Sequence, residues 1–296
     1  MAISSLPEPM SSPHLVPFDG SFRVDRASTQ PPDDAPGKKD NQQVLDEQIE
    51  RLTKLQEKLY ADDRFGLLLV FQAMDAAGKD GTVRAVMSGV NPAGCEVHAF
   101  KAPTHEELDH DFLWRCARRV PERGRIGIWN RSHYEEVLVV KVNPTYLGGQ
   151  RLPRGSDDLP GLWQERYASI RGFEEHQARN GLVILKFWLN VGRDEQRDRL
   201  IERIDERESN WKFNPDDLAQ RAKWDQYMAA YQEALNATSR PWAPWYAIPA
   251  DSKSYMRRAI AEIIVGALER LPLRWPEVSD AERTEMQRLR AQLAGE

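Results

Sequence analysis

Residues 72–82 bring together groups that can bind phosphate, in the order Gln-Ala-Met-Asp-Ala-Ala-Gly-Lys-Asp-Gly-Thr. The backbone N–H groups of a glycine-containing loop and the N-terminus of a helix bind an anion, and a lysine there neutralises its charge. The apolar run Gly66–Phe71 comes directly before this segment. We therefore predict a strand, a phosphate-binding loop and a helix. Nucleotide phosphate chemistry is the leading hypothesis.

The segment meets the general phosphate-loop pattern G-x-x-x-x-G-K-[ST] only in part. Gly78 and Lys79 stand in register, but Ala73 replaces the first glycine. Asp80 replaces the hydroxyl residue that normally holds magnesium. An ordinary glycine-containing turn between a strand and a helix is the alternative for this segment alone. The strand before it and the helix after it favour the phosphate loop.

A second group of polar residues follows the apolar strand that ends at Asn130. In nucleotide-phosphate enzymes the end of a neighbouring strand often supplies a carboxylate for magnesium. Asn130 binds a cation only weakly through its carbonyl oxygen, whereas Glu135 and Glu136 follow closely enough to contribute. The alternative is that Asn130 or Ser132 caps the following helix.

Three arginines of a later predicted helix, Arg199, Arg203 and Arg207, recur every four residues and share one face. They could bind a polyanionic ligand. Glu195 precedes Arg199 by four residues, so a solvated face of ion pairs would have the same pattern. The polar, tryptophan-containing segment 208–213 that follows is typical of a mobile lid, which favours the ligand interpretation.

Composition limits the class of protein. The 296 residues are 41% hydrophobic and 29% charged, with a net charge of -5. This length allows one substantial core and one to two domains. The negative charge argues against nucleic acid as a partner. No apolar run is long enough to span a membrane and no signal peptide is evident, so we expect a cytoplasmic protein without a membrane partner. The two cysteines are predicted to be reduced thiols.

Strand-like and helix-like segments alternate along the chain, which predicts an α/β fold with helices on both faces of a parallel sheet. Ligands then bind at the carboxyl ends of the strands. The predicted strands are Gly66–Phe71, Cys95–Phe100, Ile126–Asn130, Leu182–Leu189 and Trp245–Ile248. The predicted helices are Asn41–Tyr60, Thr82–Gly89, Glu106–Arg119, Leu162–Ala178, Arg193–Glu208 and Ser254–Leu268.

The predicted domain organisation has three parts. Residues 1–38 are proline-rich and form an extended N-terminal arm, residues 39–270 form the main domain with a lid at about 205–236, and residues 271–296 form a helical tail. The arm and the amphipathic helix around Leu45 to Leu59 lead us to expect a homo-oligomer.

Five segments in this order together resemble the polyphosphate kinase 2 family, which transfers phosphate between inorganic polyphosphate and nucleotides. The resemblance runs from about Leu45 to Leu268. It implies a P-loop kinase-like three-layer sandwich with a central parallel sheet and a helical lid, and a P-loop phosphotransferase domain at residues 39–270. The segments are 72–82, Phe100–Pro103, Gly127–Val137, Trp211–Phe213 and Trp242–Tyr246.

The loop of that family reads G-x-D-x-x-G-K-x-G. This chain matches it at Asp75, Gly78, Lys79 and Gly81, but has Ala73 at the leading glycine position. The resemblance implies that Asp75 helps to hold Mg²⁺, with Mn²⁺ as an alternative ion, and that Lys79 meets the phosphates. The second motif of the family often begins Asp-Arg-Ser. Its form here, Asn130-Arg131-Ser132, resembles the branch that phosphorylates both nucleoside mono- and diphosphates.

These considerations assign the site residues and the substrates, which are inorganic polyphosphate with AMP and ADP. The catalytic residues are predicted to be Asp75, Lys79, Arg131 and Glu135. Nucleotide or phosphate binding is assigned to Ala76, Ala77, Gly78, Asp80, Gly81, Thr82, Lys101, Asn130, Tyr134, Arg203 and Lys212. Arg118 and Arg119 are predicted to follow the polymer. The alternatives are an ATP-dependent nucleoside monophosphate kinase and a nucleotide-binding P-loop protein without catalysis.

Overall fold

The computed structural model describes residues 8–153 and 158–295. Its centre is a single sheet of five parallel strands in the order β2-β3-β1-β4-β5. These strands are β1 (Gly66–Ala73), β2 (Cys95–Ala99), β3 (Ile126–Asn130), β4 (Leu182–Asn190) and β5 (Trp245–Pro249). β1 and β4 are buried along almost their whole length, as parallel strands covered on both faces must be. The predicted α/β sandwich with a central parallel sheet is confirmed.

Eleven helices of the described ranges surround the sheet. α10 packs against both the long α1 and the short α2, whereas α6 packs on β4 and α9. In the part of the chain that the structure describes, no helix is both long and apolar enough to cross a membrane. The helices are α1 (Lys38–Asp62), α2 (Lys79–Val86), α3 (His105–Leu108), α4 (Trp114–Ala117), α5 (Val139–Val142), α6 (Leu159–Arg179), α7 (Arg193–Asp205), α8 (Asp216–Ala222), α9 (Trp224–Thr238), α10 (Lys253–Glu269) and α11 (Asp280–Leu293).

The prediction of one helix from Glu106 to Arg119 is wrong, because the segment forms the two short helices α3 and α4. The chain bends between them, where the Asp111 carboxylate accepts a hydrogen bond from the backbone N–H of Leu113 at 2.9 Å. Short polar side chains that bind nearby backbone groups compete with helical hydrogen bonds. The apolar spacing alone does not reveal this competition.

The N-terminal arm covers the edge of the sheet at β5. Val16 N–H donates to the Trp245 carbonyl at 2.9 Å, and Ala247 N–H donates to the His14 carbonyl at 2.8 Å. Leu15 forms an antiparallel bridge with Tyr246. An edge strand covered in this way cannot pair with another chain. Residues 1–7 of the predicted arm lie outside the described residues.

The apolar face of α1 is occupied within the chain. Leu45, Leu52 and Leu59 are all buried, and α1 packs against α10. The predicted amphipathic helix is therefore present. Because its apolar face is covered, that face offers no surface for self-association, and a homo-oligomer remains a prediction without this support.

The segment predicted as a lid has two different halves. Trp211 in the first half is 79% exposed, and Phe213 is exposed as well. The second half is mostly α9, whose residues Tyr227 and Tyr231 are buried in the core. A helix with a buried face cannot move freely, so any lid is restricted to the residues between α7 and α9.

A buried ion pair links β4 to the helices of one face. The ammonium of Lys186 donates to Glu174 Oε2 at 2.6 Å, to the Tyr134 hydroxyl at 2.8 Å and to the Thr238 carbonyl at 2.9 Å. The Tyr134 hydroxyl in turn donates to Glu174 Oε1 at 2.8 Å. All three donors of the ammonium are thus satisfied, as a buried lysine requires.

We predict that Lys186→Met lowers the free energy of unfolding by about 3–5 kcal/mol, because it leaves the Glu174 carboxylate buried without its cation. Urea denaturation followed by circular dichroism measures the change. The double variant Lys186→Met with Glu174→Leu should regain most of the loss, since it removes both charges. A single variant within about 1 kcal/mol of the wild type would contradict a buried ion pair at this place.

Candidate active site

The phosphate loop joins β1 to α2 through residues with left-handed backbone. Ala76 has a φ of 60° and Gly78 a φ of 100°. Gly78 is the N-cap of α2, and its carbonyl accepts the N–H of Thr82 at 3.0 Å. Left-handed residues at such close spacing are typical of a concave nest of N–H groups that binds anions. Glycine adopts this conformation without strain, whereas Ala76 needs support from its neighbours.

Helix α7 provides that support by binding the carbonyl side of the loop. Gln196 Nε2 donates to the Asp75 carbonyl at 3.0 Å. Arg199 Nη1 donates to the carbonyls of Ala77 at 2.9 Å and Ala76 at 3.4 Å. In a trans peptide the C=O and N–H groups point in opposite directions. The N–H groups that follow these carbonyls therefore point away from α7, and that of Ala77 donates to the Met74 carbonyl at 3.4 Å.

Arg199 also fixes the loop to a second connection at the same edge of the sheet. Its Nη2 donates to the carbonyls of Ala250 at 2.7 Å and Asp251 at 3.2 Å, in the connection between β5 and α10. Its Nε donates to Glu195 Oε1 at 2.7 Å. Arg199 is buried, so the interpretation of this arginine as part of a solvated face is wrong. Its sequence pattern does not distinguish this role from ligand binding.

A groove of about 240 Å³ runs along the concave side of the loop, and we call it the phosphate groove. Each residue that lines it was among the predicted site residues. Four of them carry a cationic side chain, which suits a polyanion. The lining residues are Asp75, Ala76, Ala77, Gly78, Lys79, Asp80, Gly81, Asn130, Arg131, Arg203 and Lys212.

The side chain of Lys79 bends back over the start of its own loop. Its ammonium donates to the carbonyls of Ala73 at 2.9 Å and Met74 at 3.3 Å. Burial lowers the pKa of Lys79, while the nearby Asp75 carboxylate opposes that shift. Two of its three donors are thus bound by backbone carbonyls, and the residue lines the groove.

Asp75 and Arg131 connect the ends of β1 and β3. Arg131 Nη2 lies 3.0 Å from Asp75 Oδ1 in an ion pair. The adjacent Asn130 amide donates to the Asp80 carboxylate. β1 and β3 are neighbouring parallel strands in which Phe71 is opposite Asn130. Their carboxyl ends therefore bring the two predicted motifs into direct contact.

A larger cavity of about 680 Å³ adjoins the phosphate groove and shares Asp75 and Arg131 with it. We call it the large cavity. Lys101 and Glu135, both predicted site residues, also line it. Burial raises the pKa of Glu135, although the nearby Arg131 and Lys79 act in the opposite direction. The rest of the wall combines polar residues such as Asp216, Asp217 and Gln220 with apolar and aromatic ones, among them Phe100, Leu138, Val139, Tyr146, Tyr227 and Tyr231.

Four predicted site residues lie elsewhere. Tyr134 is fully buried and its hydroxyl bonds to Glu174 and Lys186, so it cannot contact a nucleotide. Thr82 is also fully buried, and its hydroxyl faces Met256 Sδ at 3.8 Å instead of the groove. Arg118 and Arg119 line neither the groove nor the large cavity. These two arginines are exposed, and the guanidinium of Arg118 lies over the Trp114 ring.

Several residues of the site were missed by the sequence reasoning. Asp217 of α8 lines the large cavity and pairs with Arg203 Nη1 at 2.8 Å. Gln196 holds the Asp75 carbonyl through an amide that is buried. Nothing in a single sequence marks these polar residues as different from those on exposed helix faces. Phe100 did carry a signal, because it opens the Phe100–Pro103 segment.

The comparisons with known proteins agree with this geometry. The family model "Polyphosphate kinase 2 (PPK2)" matches residues 35–273. An ADP-polyphosphate phosphotransferase of Rhodopseudomonas palustris is 50% identical over 251 residues, which cover 85% of this chain and 87% of the relative. An AMP/ADP-polyphosphate phosphotransferase of Meiothermus ruber is 44% identical over 272 residues, which cover 90% and 96%.

Solved structures extend the likeness to the fold. The crystal structure of polyphosphate kinase 2 from Arthrobacter aurescens TC1 superposes with a TM-score of 0.84 at 38% sequence identity, and the match covers 96% of this chain and 99% of that one. This likeness confirms the predicted P-loop kinase-like fold. With a family model over most of its length and relatives this similar, the chain belongs to the polyphosphate kinase 2 family.

Proposed function

We propose that this enzyme transfers phosphoryl groups between inorganic polyphosphate and the adenine nucleotides AMP and ADP. The observation that carries the proposal is that the phosphate groove and the large cavity meet at Asp75 and Arg131. Two ligands bound there would have their phosphate ends next to each other. The names of the relatives from R. palustris and M. ruber support the same pair of substrates.

The two cavities differ in the ligand that they suit. The phosphate groove is small and is lined by the loop backbone and cationic side chains, so we assign polyphosphate to it. The large cavity has the volume of a nucleotide site and an aromatic wall against which a base can pack. We assign the nucleotide to this cavity, with its terminal phosphate directed toward Asp75.

The donor set suits Mg²⁺, with Mn²⁺ as the alternative. In the described part of the chain, no group of three or more His, Cys, Asp or Glu side chains could hold a metal by itself. Mg²⁺ is usually held by one or two carboxylates together with substrate phosphates. Asp75 would be the protein ligand, with Glu135 of the same cavity nearby. The bound ion would supply positive charge for the phosphate oxygens.

The transfer needs alignment and positive charge but no protein nucleophile. A terminal phosphate oxygen of the nucleotide would attack the terminal phosphorus of polyphosphate in line. The bond from that phosphorus to the bridging oxygen breaks, and the polymer leaves one phosphate shorter. Lys79 would exchange the carbonyls of Ala73 and Met74 for phosphate oxygens, and Arg131 would balance the charge that develops.

We also propose a lid, formed by the exposed segment between α7 and α9. Lys212 of this segment lines the phosphate groove, and Asp217 of α8 pairs with Arg203, a groove residue in the last turn of α7. Closing the segment over the groove would exclude water, which otherwise hydrolyses the donor. The proposed domain division places the extended arm before the main domain and the helical tail after it. The tail contains α11, which has no buried residue.

The proposal places the reaction in the cytoplasm. Cys95 and Cys116 are free thiols in the structure, as expected in a reducing compartment. Burial raises the pKa of Cys116 to about 12, so this thiol is unreactive.

The proposed reaction predicts that purified protein with polyphosphate, Mg²⁺ and AMP forms ADP and ATP, and that ADP forms ATP. Chromatography of the nucleotides measures both products. ATP offered to AMP without polyphosphate should be a much poorer donor, which separates the enzyme from a nucleoside monophosphate kinase. Nucleotide binding without product at any polymer length would refute the proposal and favour the non-catalytic alternative.

Lys79→Ala and Asp75→Ala should each lower kcat by at least about a hundredfold, because each removes a group that acts on charge in the transition state. Steady-state kinetics on variants with wild-type circular dichroism measure the loss. Arg118→Ala is the matched control: it removes an exposed arginine that lines neither cavity, so its kcat should stay close to wild type. Near-normal turnover of Lys79→Ala would show that the loop has another role.

Glu135 generates a prediction about pH. Its raised pKa means that the carboxylate takes up a proton at a higher pH than an ordinary glutamate. If the ionised form is required, kcat falls as the pH falls through this raised pKa. Glu135→Gln should lower kcat and lose this acidic limb, because the amide does not titrate. An unchanged limb in the variant pH profile would assign the titration to another group.

A further inference from the structure

An arginine from another helix lies directly beside Gly81, a residue of the phosphate groove in the first turn of α2. A Cβ added at Gly81 would lie 3.4 Å from Nη2 of Arg257 on α10. Gly81 lines the groove, whereas Arg257 does not. The guanidinium thus lies beside the groove without lining it.

Arg257 has no counter-charge in the described ranges. Its Nε is buried without a hydrogen-bond partner, and no carboxylate there lies within ion-pair distance. Burial lowers the pKa of Arg257, and the like charges of Arg84 and Arg199 lower it further. Burying a cation is costly unless it is paired. An arginine held beside two other arginines is therefore well placed to bind an anion.

Arg84 extends the same positive surface along α2. It follows Gly81 by three residues, so the two positions share one face of the helix. Its side chain is exposed and makes no ion pair with a described residue. The helical neighbour that could pair with it, Asp80, accepts from the Asn130 amide. Arg84 and Arg257 form what we call the Arg84–Arg257 patch.

The third arginine near the patch has a different function. Arg199 uses its donors on Glu195 and on backbone carbonyls of the loop and of the β5–α10 connection. Arg257 has no such structural role among the described residues, because no hydrogen bond or ion pair joins its side chain to any of them. The contrast separates an arginine that holds the fold from one that is free to hold a ligand.

We propose that the Arg84–Arg257 patch is a second binding site for polyphosphate, which holds the phosphates of the donor that lie beyond the phosphate groove. The inference rests on the proposed function. A guanidinium group can donate two parallel hydrogen bonds to the oxygens of one phosphate, so two arginines suit a chain of repeated phosphates. A donor too short to reach past Gly81 gains nothing from the patch, whereas a long polymer gains additional ion pairs.

The test compares long-chain polyphosphate with tripolyphosphate as donors for Arg84→Gln, Arg257→Gln and the double variant. We expect the KM for the long polymer to rise about tenfold or more in the double variant, as loss of charged hydrogen bonds predicts. The KM for tripolyphosphate, the KM for ADP and kcat should stay within about twofold of wild type. Arg84 is exposed, so its variant tests the patch even if Arg257→Gln fails to fold.

Arg258→Gln is the matched control, because it removes the same charge at the next position of α10. Arg258 pairs with Glu262 at 2.9 Å and binds Asn41, so it faces away from the groove. Its donor preference should equal that of the wild type. Arg257→Lys, which retains the charge but not the planar fork, should fall between wild type and Arg257→Gln.

Two results would overturn the inference. One is an unchanged KM for the long polymer in the double variant. The other is an equal rise for both donors, which would mean that the arginines support the loop instead of the polymer. A direct measurement of long-chain polyphosphate binding by isothermal titration calorimetry, without nucleotide, must show the same weakening. If the wild type makes no nucleotide product but binds the polymer, the proposed function fails while the patch can still be judged by binding.

Discussion

The site depends on the binding of the loop carbonyls by α7. A loop that offers its N–H groups to an anion must turn the matching C=O groups the other way, into the protein, where each needs a donor. Gln196 and Arg199 supply these donors to the carbonyls of three consecutive residues, Asp75 to Ala77. Without these donors, the three carbonyls would be buried without hydrogen bonds, which would destabilise the left-handed backbone at Ala76. The anion-binding side of the loop is therefore prepared by contacts on its opposite side.

Strand order provides the second condition. Asp75 and Arg131 are distant in the sequence, but they meet because β1 and β3 are adjacent and parallel and end at the same edge of the sheet. Ligand sites of open parallel sheets lie at this edge. The same adjacency brings the phosphate groove and the large cavity together, since these two residues line both. The junction of the two cavities is thus a consequence of the topology.

The sequence was sufficient for those parts of the protein that depend on local patterns. Four of the five strands were predicted from apolar runs, and the lining of the phosphate groove was predicted from two ordered motifs together with Arg203 and Lys212 of the later helix and lid segment. It was insufficient where a polar side chain faces inward. Tyr134 follows Arg131 closely, yet a short turn directs its ring into the core, toward Lys186.

Arg199 was ambiguous for the same reason. Its spacing is that of an exposed ladder of ion pairs, and its carbonyl partners come from residues 76–77 and 250–251. Backbone carbonyls have no sequence signature, so a contact of this kind cannot be read from residue types. The break between α3 and α4 likewise depends on a side chain that binds the backbone at Leu113. These features become visible only when the chain is folded.

The reach of Arg199 has a consequence for the order in which the protein is made. A ribosome delivers the phosphate loop early and the connection after β5 late, but the guanidinium needs carbonyls from both places to use its donors fully. Until β5 has left the exit tunnel, Arg199 can donate to the loop carbonyls but not to the carbonyl of Ala250. The support that Arg199 gives to the loop is therefore complete only after β5 has joined the sheet.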